Sequence, residues 1–219
     1  MKQVLALGLS AALFLSACGN EPDALGGAAM TKAMVTSTTS KLKKAEVATP
    51  QLTREMLKLV LTPVMLATIE SRGQQAMIAE VQTNGPVATW STQDDVTISM
   101  KGGVIVATRG LGNDLMAASV PAVVRQSAGS EGRVRVHSYL NGEDQTVRRQ
   151  FACSTAALGQ ETIVIVEISY SATRIRETCT SDDASFQNDY WFTSDQKMRK
   201  SRQWISEDVG YLTIEDLRR

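Results

Sequence analysis

The sequence predicts a mainly β protein, a curled antiparallel β-meander or partial barrel with one or two N-terminal helices. Three observations predict it. Short apolar–polar alternations such as "DDVTISM" and "GRVRVHSYL" recur along the chain, turn signals built on Gly and Asn separate them, and a capped amphipathic helix precedes them. Short strands joined by tight turns pair with their sequence neighbours, and a meander this long must curl or close to bury its apolar face.

The chain has 219 residues, of which 43% are hydrophobic, enough for one substantial domain. Its 23 basic and 23 acidic side chains balance, which gives no electrostatic footprint for nucleic acid.

Residues 1–17 read as a secretory signal peptide: Lys2, the apolar run Val4–Leu15, then small residues before a cysteine. That run is too short for the about 20 apolar residues that cross a bilayer, so it is a signal core rather than an anchor. Leu15-Ser16-Ala17-Cys18 resembles the bacterial lipobox, which makes Cys18 the lipidated first residue of the mature chain. One acyl chain binds a membrane only marginally, whereas several hold durably. Gly19 after the cysteine, in place of Asp, favours the outer membrane under the sorting rule of Gram-negative lipoproteins.

Residues 18–27 form the lipidated N-terminus and a small polar tether, and residues 28–219 a single β-rich domain. A helix is expected over Ala28–Ala45, against the poor helix formers Thr36–Ser40. A second, Thr49–Leu61, has Thr49 as cap, Pro50 in first position and apolar residues at helical spacing before Pro63.

Strands follow. Val96–Met100 and Val104–Val106 form a hairpin about Lys101-Gly102-Gly103, while Asn84-Gly85 and Asn141-Gly142 supply further turns. "VATRGLGNDLM" ends a strand at two glycines, after which Asn113 or Asp114 caps a short helix. In "GRVRVHSYL" the set Val134, Val136 and Leu140 alternates with Arg133, Arg135, His137 and Tyr139, and the second set is expected to face solvent. "ETIVIVEISY", apolar on both faces, reads as a central strand. Three more strands, separated by Ser194-Asp195 and Asp208-Val209-Gly210, complete the chain.

The chemistry is sparse. His137 is the sole histidine, no Cys/His cluster has metal-ligand spacing, and no cofactor is implied. "RGLGNDLM" lacks both the Lys-Ser/Thr of a phosphate loop and the third glycine of a dinucleotide fold. Glu167, Glu177, Asp182, Asp183 and Asp189 are available for a glycosidase pair, but the sequence brings no two of them together. Apart from Cys18, Cys153 and Cys179 remain, as a disulfide worth about 3 kcal/mol or as two buried thiols. Arg133, Arg135, Arg148, Arg199 and Arg202 are candidate contacts for an acidic polysaccharide, because guanidinium suits carboxylate; an ordinary solvated face is the alternative.

The stretches "NGPVATWSTQDDVTISMKGGVIVATRG" and "VATRGLGNDLMAA", with a tail in which Asn188-Asp189-Tyr190-Trp191 precedes Ser201-Arg202-Gln203-Trp204, resemble the YjbF (GfcB) family of lipoproteins from capsule and exopolysaccharide secretion operons. The resemblance runs from about Thr49 to Leu217. It implies a curled β-meander and an outer-membrane lipoprotein, facing the periplasm, that assists polysaccharide export beside other envelope proteins. It carries over no catalytic residue, only Cys18. The expectation is therefore a non-enzymatic accessory factor; its rivals are a glycan-modifying enzyme and a lipid- or glycan-binding barrel, the last of which requires an interior pocket.

Overall fold

The structure, a computed structural model, describes residues 52–123 and 129–218. The expected signal peptide, Cys18, the tether and the Ala28–Ala45 helix lie outside these residues, as do Thr49 and Pro50. The chain runs α1 (Arg54–Lys58), β1 (Val64–Ile69), β2 (Gln74–Asn84), β3 (Val87–Ser91), β4 (Thr97–Lys101), β5 (Val104–Arg109) and β6 (Ala117–Ser119). It continues with β7 (Arg133–Leu140), β8 (Thr146–Ile165), β9 (Ile168–Thr180), β10 (Ser185–Phe192), β11 (Met198–Ser206) and β12 (Gly210–Asp216).

All twelve strands belong to one antiparallel sheet in the order β5-β4-β3-β2-β1-β12-β11-β10-β9-β8-β7-β6, which curls into a nearly closed barrel. Every neighbouring pair is consecutive in sequence except β1 and β12, which pair from Met65↔Asp216 to Ile69↔Leu212. The two edge strands, β5 and β6, are thus also sequence neighbours and meet across the seam. There the loop "GLGNDLM" is tied by Asp114, whose carboxylate accepts hydrogen bonds from Thr108 Oγ1 (2.8 Å), Gly110 N (2.9 Å) and Leu111 N (3.2 Å). Leu111 and Leu115 are buried, with Gly110 at φ 90° and Gly112 at φ 103°. The expected helix from Asn113 does not form: Asp114 spends its oxygens on the turn, and the chain goes on to a short strand.

Across the interior, Gln203 on β11 reaches β5: its Oε1 accepts from Ile105 N (2.9 Å) and its Nε2 donates to Gly103 O (2.8 Å). One side-chain amide thereby occupies edge groups that a neighbouring strand would otherwise pair. The interior is a packed core, with Ile78, Trp90, Ile98 and Leu212 in one cluster and Val104, Ile175, Tyr190 and Phe192 in another. That filling argues against a barrel with a lipid-sized interior pocket.

Helix α1 is shorter than expected, and its cap is Thr53, whose Oγ1 accepts from Met56 N at 3.3 Å. Its first residue, the buried Arg54, clamps the tip of the β8–β9 hairpin. The guanidinium donates to Val166 O (2.7 Å), Ile165 O (2.7 Å) and Leu217 O (2.8 Å), and Glu167 Oε2 accepts from the Arg54 amide at 3.2 Å. That tip corrects the reading of "ETIVIVEISY" as one strand. Val166 and Glu167 lie at φ 40° and 68°, so the chain reverses in the middle of the stretch, between Ile165 and its partner Ile168.

The other turns are also displaced. Asn84 ends β2, and the β2–β3 turn is Gly85-Pro86, with only Gly85 at positive φ. The β7–β8 loop spans residues 141–145 with Asp144, not Gly142, at positive φ; Asn141 Oδ1 fastens it by accepting from Glu143 N (3.1 Å) and Gln145 N (2.8 Å). Gly102 and Gly103, at φ 58° and 82°, make the expected β4–β5 turn.

Candidate functional site

The side chains of β7 face the opposite way from the expectation. Arg135, His137 and Tyr139 are buried, whereas Val134 and Leu140 are exposed. The inward set finds polar partners for part of its groups. Arg135 Nη1 lies 2.5 Å from Glu177 Oε2, which also accepts from Tyr190 Oη (3.0 Å) and Asn188 Nδ2 (3.0 Å). Burial pushes the Tyr190 hydroxyl well above its ordinary pKa, against the pull of Arg135, so it stays protonated and donates to Glu177. His137 sits among Phe151, Phe186 and Trp204, with ring centroids at 5.3, 5.6 and 6.0 Å.

Cys153 and Cys179 occupy directly opposed positions on β8 and β9 and are joined by a disulfide, with Cα atoms 4.1 Å apart. Glu177 is close to both sulfurs, but a disulfide offers no thiolate to a metal.

The outward face of β9–β12 carries a lattice of ion pairs. Asp189 is held by Arg174 (2.7 Å) and by both Nε and Nη2 of Arg176 (2.8 and 2.9 Å). Burial alone would push its carboxyl up, yet the two arginines hold it below the usual carboxylate range. Arg202 binds Glu70 at 2.9 Å and lies 3.4 Å over the Tyr211 ring; Lys200 binds Glu215 at 2.8 Å.

The five arginines that are candidate glycan contacts do not converge on one face. Arg135 is in the core, Arg148 is exposed on β8, and Arg133 donates to Ala122 O beside the seam. Arg202 is committed to Glu70, and Arg199 is buried at one end of the sheet. The carboxylates do not form a pair either. Cross-strand partners Asn188↔Glu177 and Asp189↔Arg176 are successive, which sets Glu177 inward and Asp189 outward. Glu167 belongs to the β8–β9 turn, and Asp182 and Asp183 are exposed in the β9–β10 turn.

A cleft of about 430 Å³ lies between the start of β1, the β4–β5 turn, the start of β11 and the end of β12. Met65, Gly103 and Met198 give it apolar walls, and Lys197, Arg199 and Arg218 line it as cations beside Asp216. Arg218 holds Asp216 through Nε–Oδ1 (2.8 Å) and Nη2–Oδ2 (3.1 Å), while Lys197 lies 3.4 Å from Asp195. The sequence pointed to Arg199, through the cationic alternation of β11. It gave no signal for Met65, Gly103 or Arg218, which only the β1–β12 closure brings to the same place.

Among known proteins, the family described as "Group 4 capsule polysaccharide lipoprotein gfcB, YjbF" matches residues 28–217. The crystal structure of the hypothetical lipoprotein YmcC from Escherichia coli (K12) is similar with a TM-score of 0.65 and 17% identity, over 78% of this chain and 90% of that one. At that identity the likeness speaks for the fold. No curated protein matches the chain. With the family's match extending over most of the chain, and a solved hypothetical lipoprotein sharing the curled sheet, the chain belongs to the YjbF family of group 4 capsule polysaccharide lipoproteins.

Proposed function

We propose that the protein is a non-enzymatic accessory factor in the export or assembly of a capsule or exopolysaccharide, anchored in the outer membrane through acylated Cys18 and facing the periplasm. The observation that carries this reading is the family match over residues 28–217, which follows the Leu15-Ser16-Ala17-Cys18 sequence in the chain. Two features support it. No helix among the described residues is long and apolar enough to cross a membrane. The interior carboxylate Glu177 is occupied by Arg135, Tyr190 and Asn188, and its hydrogen bonds are those of a core network rather than of a group presented to substrate. Its working partners on this reading are polysaccharide-export proteins of the envelope and the polysaccharide itself.

Deleting the gene should reduce surface polysaccharide or alter its chain length. The wild-type gene should restore it, while Cys18→Ala should yield a protein that leaves the membrane fraction and fails to complement. Unchanged polysaccharide in the deletion strain would overturn the reading, and a membrane-bound Cys18→Ala protein would overturn its anchor.

A further inference from the structure

Arg199 differs from the arginines around it. Arg135, Arg149, Arg174, Arg176, Arg202 and Arg218 each hold a carboxylate at 2.5–2.9 Å. Arg199 has none so close: Asp216 Oδ2 is 3.6 Å from its Nη1 and Asp195 Oδ2 is 3.9 Å from its Nη2. Its hydrogen bond runs from Nη1 to Arg218 O at 3.0 Å, its Nε has no partner, and its side chain is only 7% exposed. A guanidinium carries five N–H donors, and burying it without an anion or full hydrogen bonding is unfavourable. The nearest acids are engaged elsewhere, Asp216 by Arg218 and Asp195 by Lys197. The Tyr170 ring, 5.1 Å from the Arg199 guanidinium, offers it a π face but no hydrogen-bond acceptor in the plane of its N–H groups, and beside it the cleft opens with about 430 Å³, within the range of small-molecule sites.

We propose that this cleft binds the carboxylate of an acidic sugar, a hexuronate unit of the polysaccharide, with Arg199 as its anchoring cation and Lys197 and Arg218 at the rim. The polysaccharide class rests on the function proposed above; the anion site rests on the geometry alone. One under-partnered guanidinium suits a monoanionic carboxylate better than a phosphate, which carries about −1.5 to −2 and would be repelled more strongly by Asp216 and Asp195. A guanidinium edge offers two parallel N–H groups to the two oxygens of a carboxylate. Met65 and Met198 supply unbranched, adaptable walls for the C–H face of a sugar ring. Gly103 packs directly on Met198: a Cβ there would lie 2.8 Å from Met198 Sδ and push on that wall.

The test is a titration of the mature chain with sodium glucuronate, glucose and inorganic phosphate at low ionic strength, following the backbone amides of Gly102, Gly103 and Met198 by NMR. Glucuronate should shift these signals, glucose should not, and phosphate should bind more weakly. Arg199→Gln should weaken glucuronate binding about tenfold, the loss of one charge-assisted pair. Lys197→Gln, at a side chain 60% exposed and so safe for folding, should weaken it by a smaller factor. No response to glucuronate, an equal response to phosphate or glucose, or undiminished affinity in these variants would overturn the site. Such a failure is separable from the proposed function, because the deletion phenotype would stand without it.

Discussion

The proton on His137 is placed by its neighbours. Tyr139 has one hydroxyl proton, which it donates to Ile205 O at 2.6 Å, so its oxygen can only accept from His137 Nδ1 at 3.0 Å. His137 is therefore the Nδ1–H tautomer, and its bare Nε2 has no partner among the described residues. Burial, reinforced by the positive charge of Arg135, lowers its pKa from 6.5 to about 3. The flanking aromatic faces would favour an imidazolium by at most about 2 kcal/mol, which the desolvation outweighs. A depressed histidine pKa means that the unfolded chain binds the proton first: this stability is fully present above pH 6.5 and is lost as pH falls from there towards 3, by up to about 1.4 kcal/mol per unit. Urea midpoints should thus drop between pH 7 and pH 5, before ordinary carboxylates titrate, and His137→Phe should flatten that slope; an equal slope in the variant would contradict the assignment. The sequence could not place His137, because the alternation of β7 shows two faces and not which one is inside. Hydrophobicity points Val134, Val136 and Leu140 inward, whereas the core is furnished with Arg135, His137 and Tyr139, whose partners Glu177 and Ile205 arrive from distant strands.

At the scale of elements, the β8–β9 hairpin is the least legible part of the chain. Its turn contains no Gly, Asn or Asp, and a β-branched residue at positive φ is a costly choice, about 1–2 kcal/mol. Arg54 supplies the compensation with three hydrogen bonds at the tip and beside it, a tertiary cause invisible to local pattern. The ends of β10, β11 and β12 were legible because Ser194-Asp195 and Asp208-Val209-Gly210 are local turn signals that no distant contact overrides. The same hairpin carries the disulfide, which spans 26 residues and on the chain-entropy relation contributes about 3.5 kcal/mol. Cys153→Ser with Cys179→Ser should lower the urea-derived stability by that order and remove the sensitivity of the wild type to reductant. A wild-type midpoint indifferent to dithiothreitol would refute it.

For the whole molecule, the meander and its curl were legible from alternation and turns, whereas the closure was not, since it depends on β1 finding β12 and on one side chain spanning the barrel. Gln203→Leu removes the bonds to β5 and to the β4–β5 turn, and leaves Ile105 N and Gly103 O without their partner. The expected loss is about 2–4 kcal/mol, with faster amide exchange at Ile105; unchanged exchange there would show that the seam does not need the amide. The pairing of β1 with β12 has a further meaning, in time rather than space. Synthesis runs from N- to C-terminus, so β1 is made among the first strands and its second neighbour last. Strands β1–β5 can zip together early through local hairpins, but until β12 arrives the β1 edge is an open template for any passing strand. The slow contact of this fold is the one that joins its two ends, and the interval before it forms is when the chain is most exposed to aggregation.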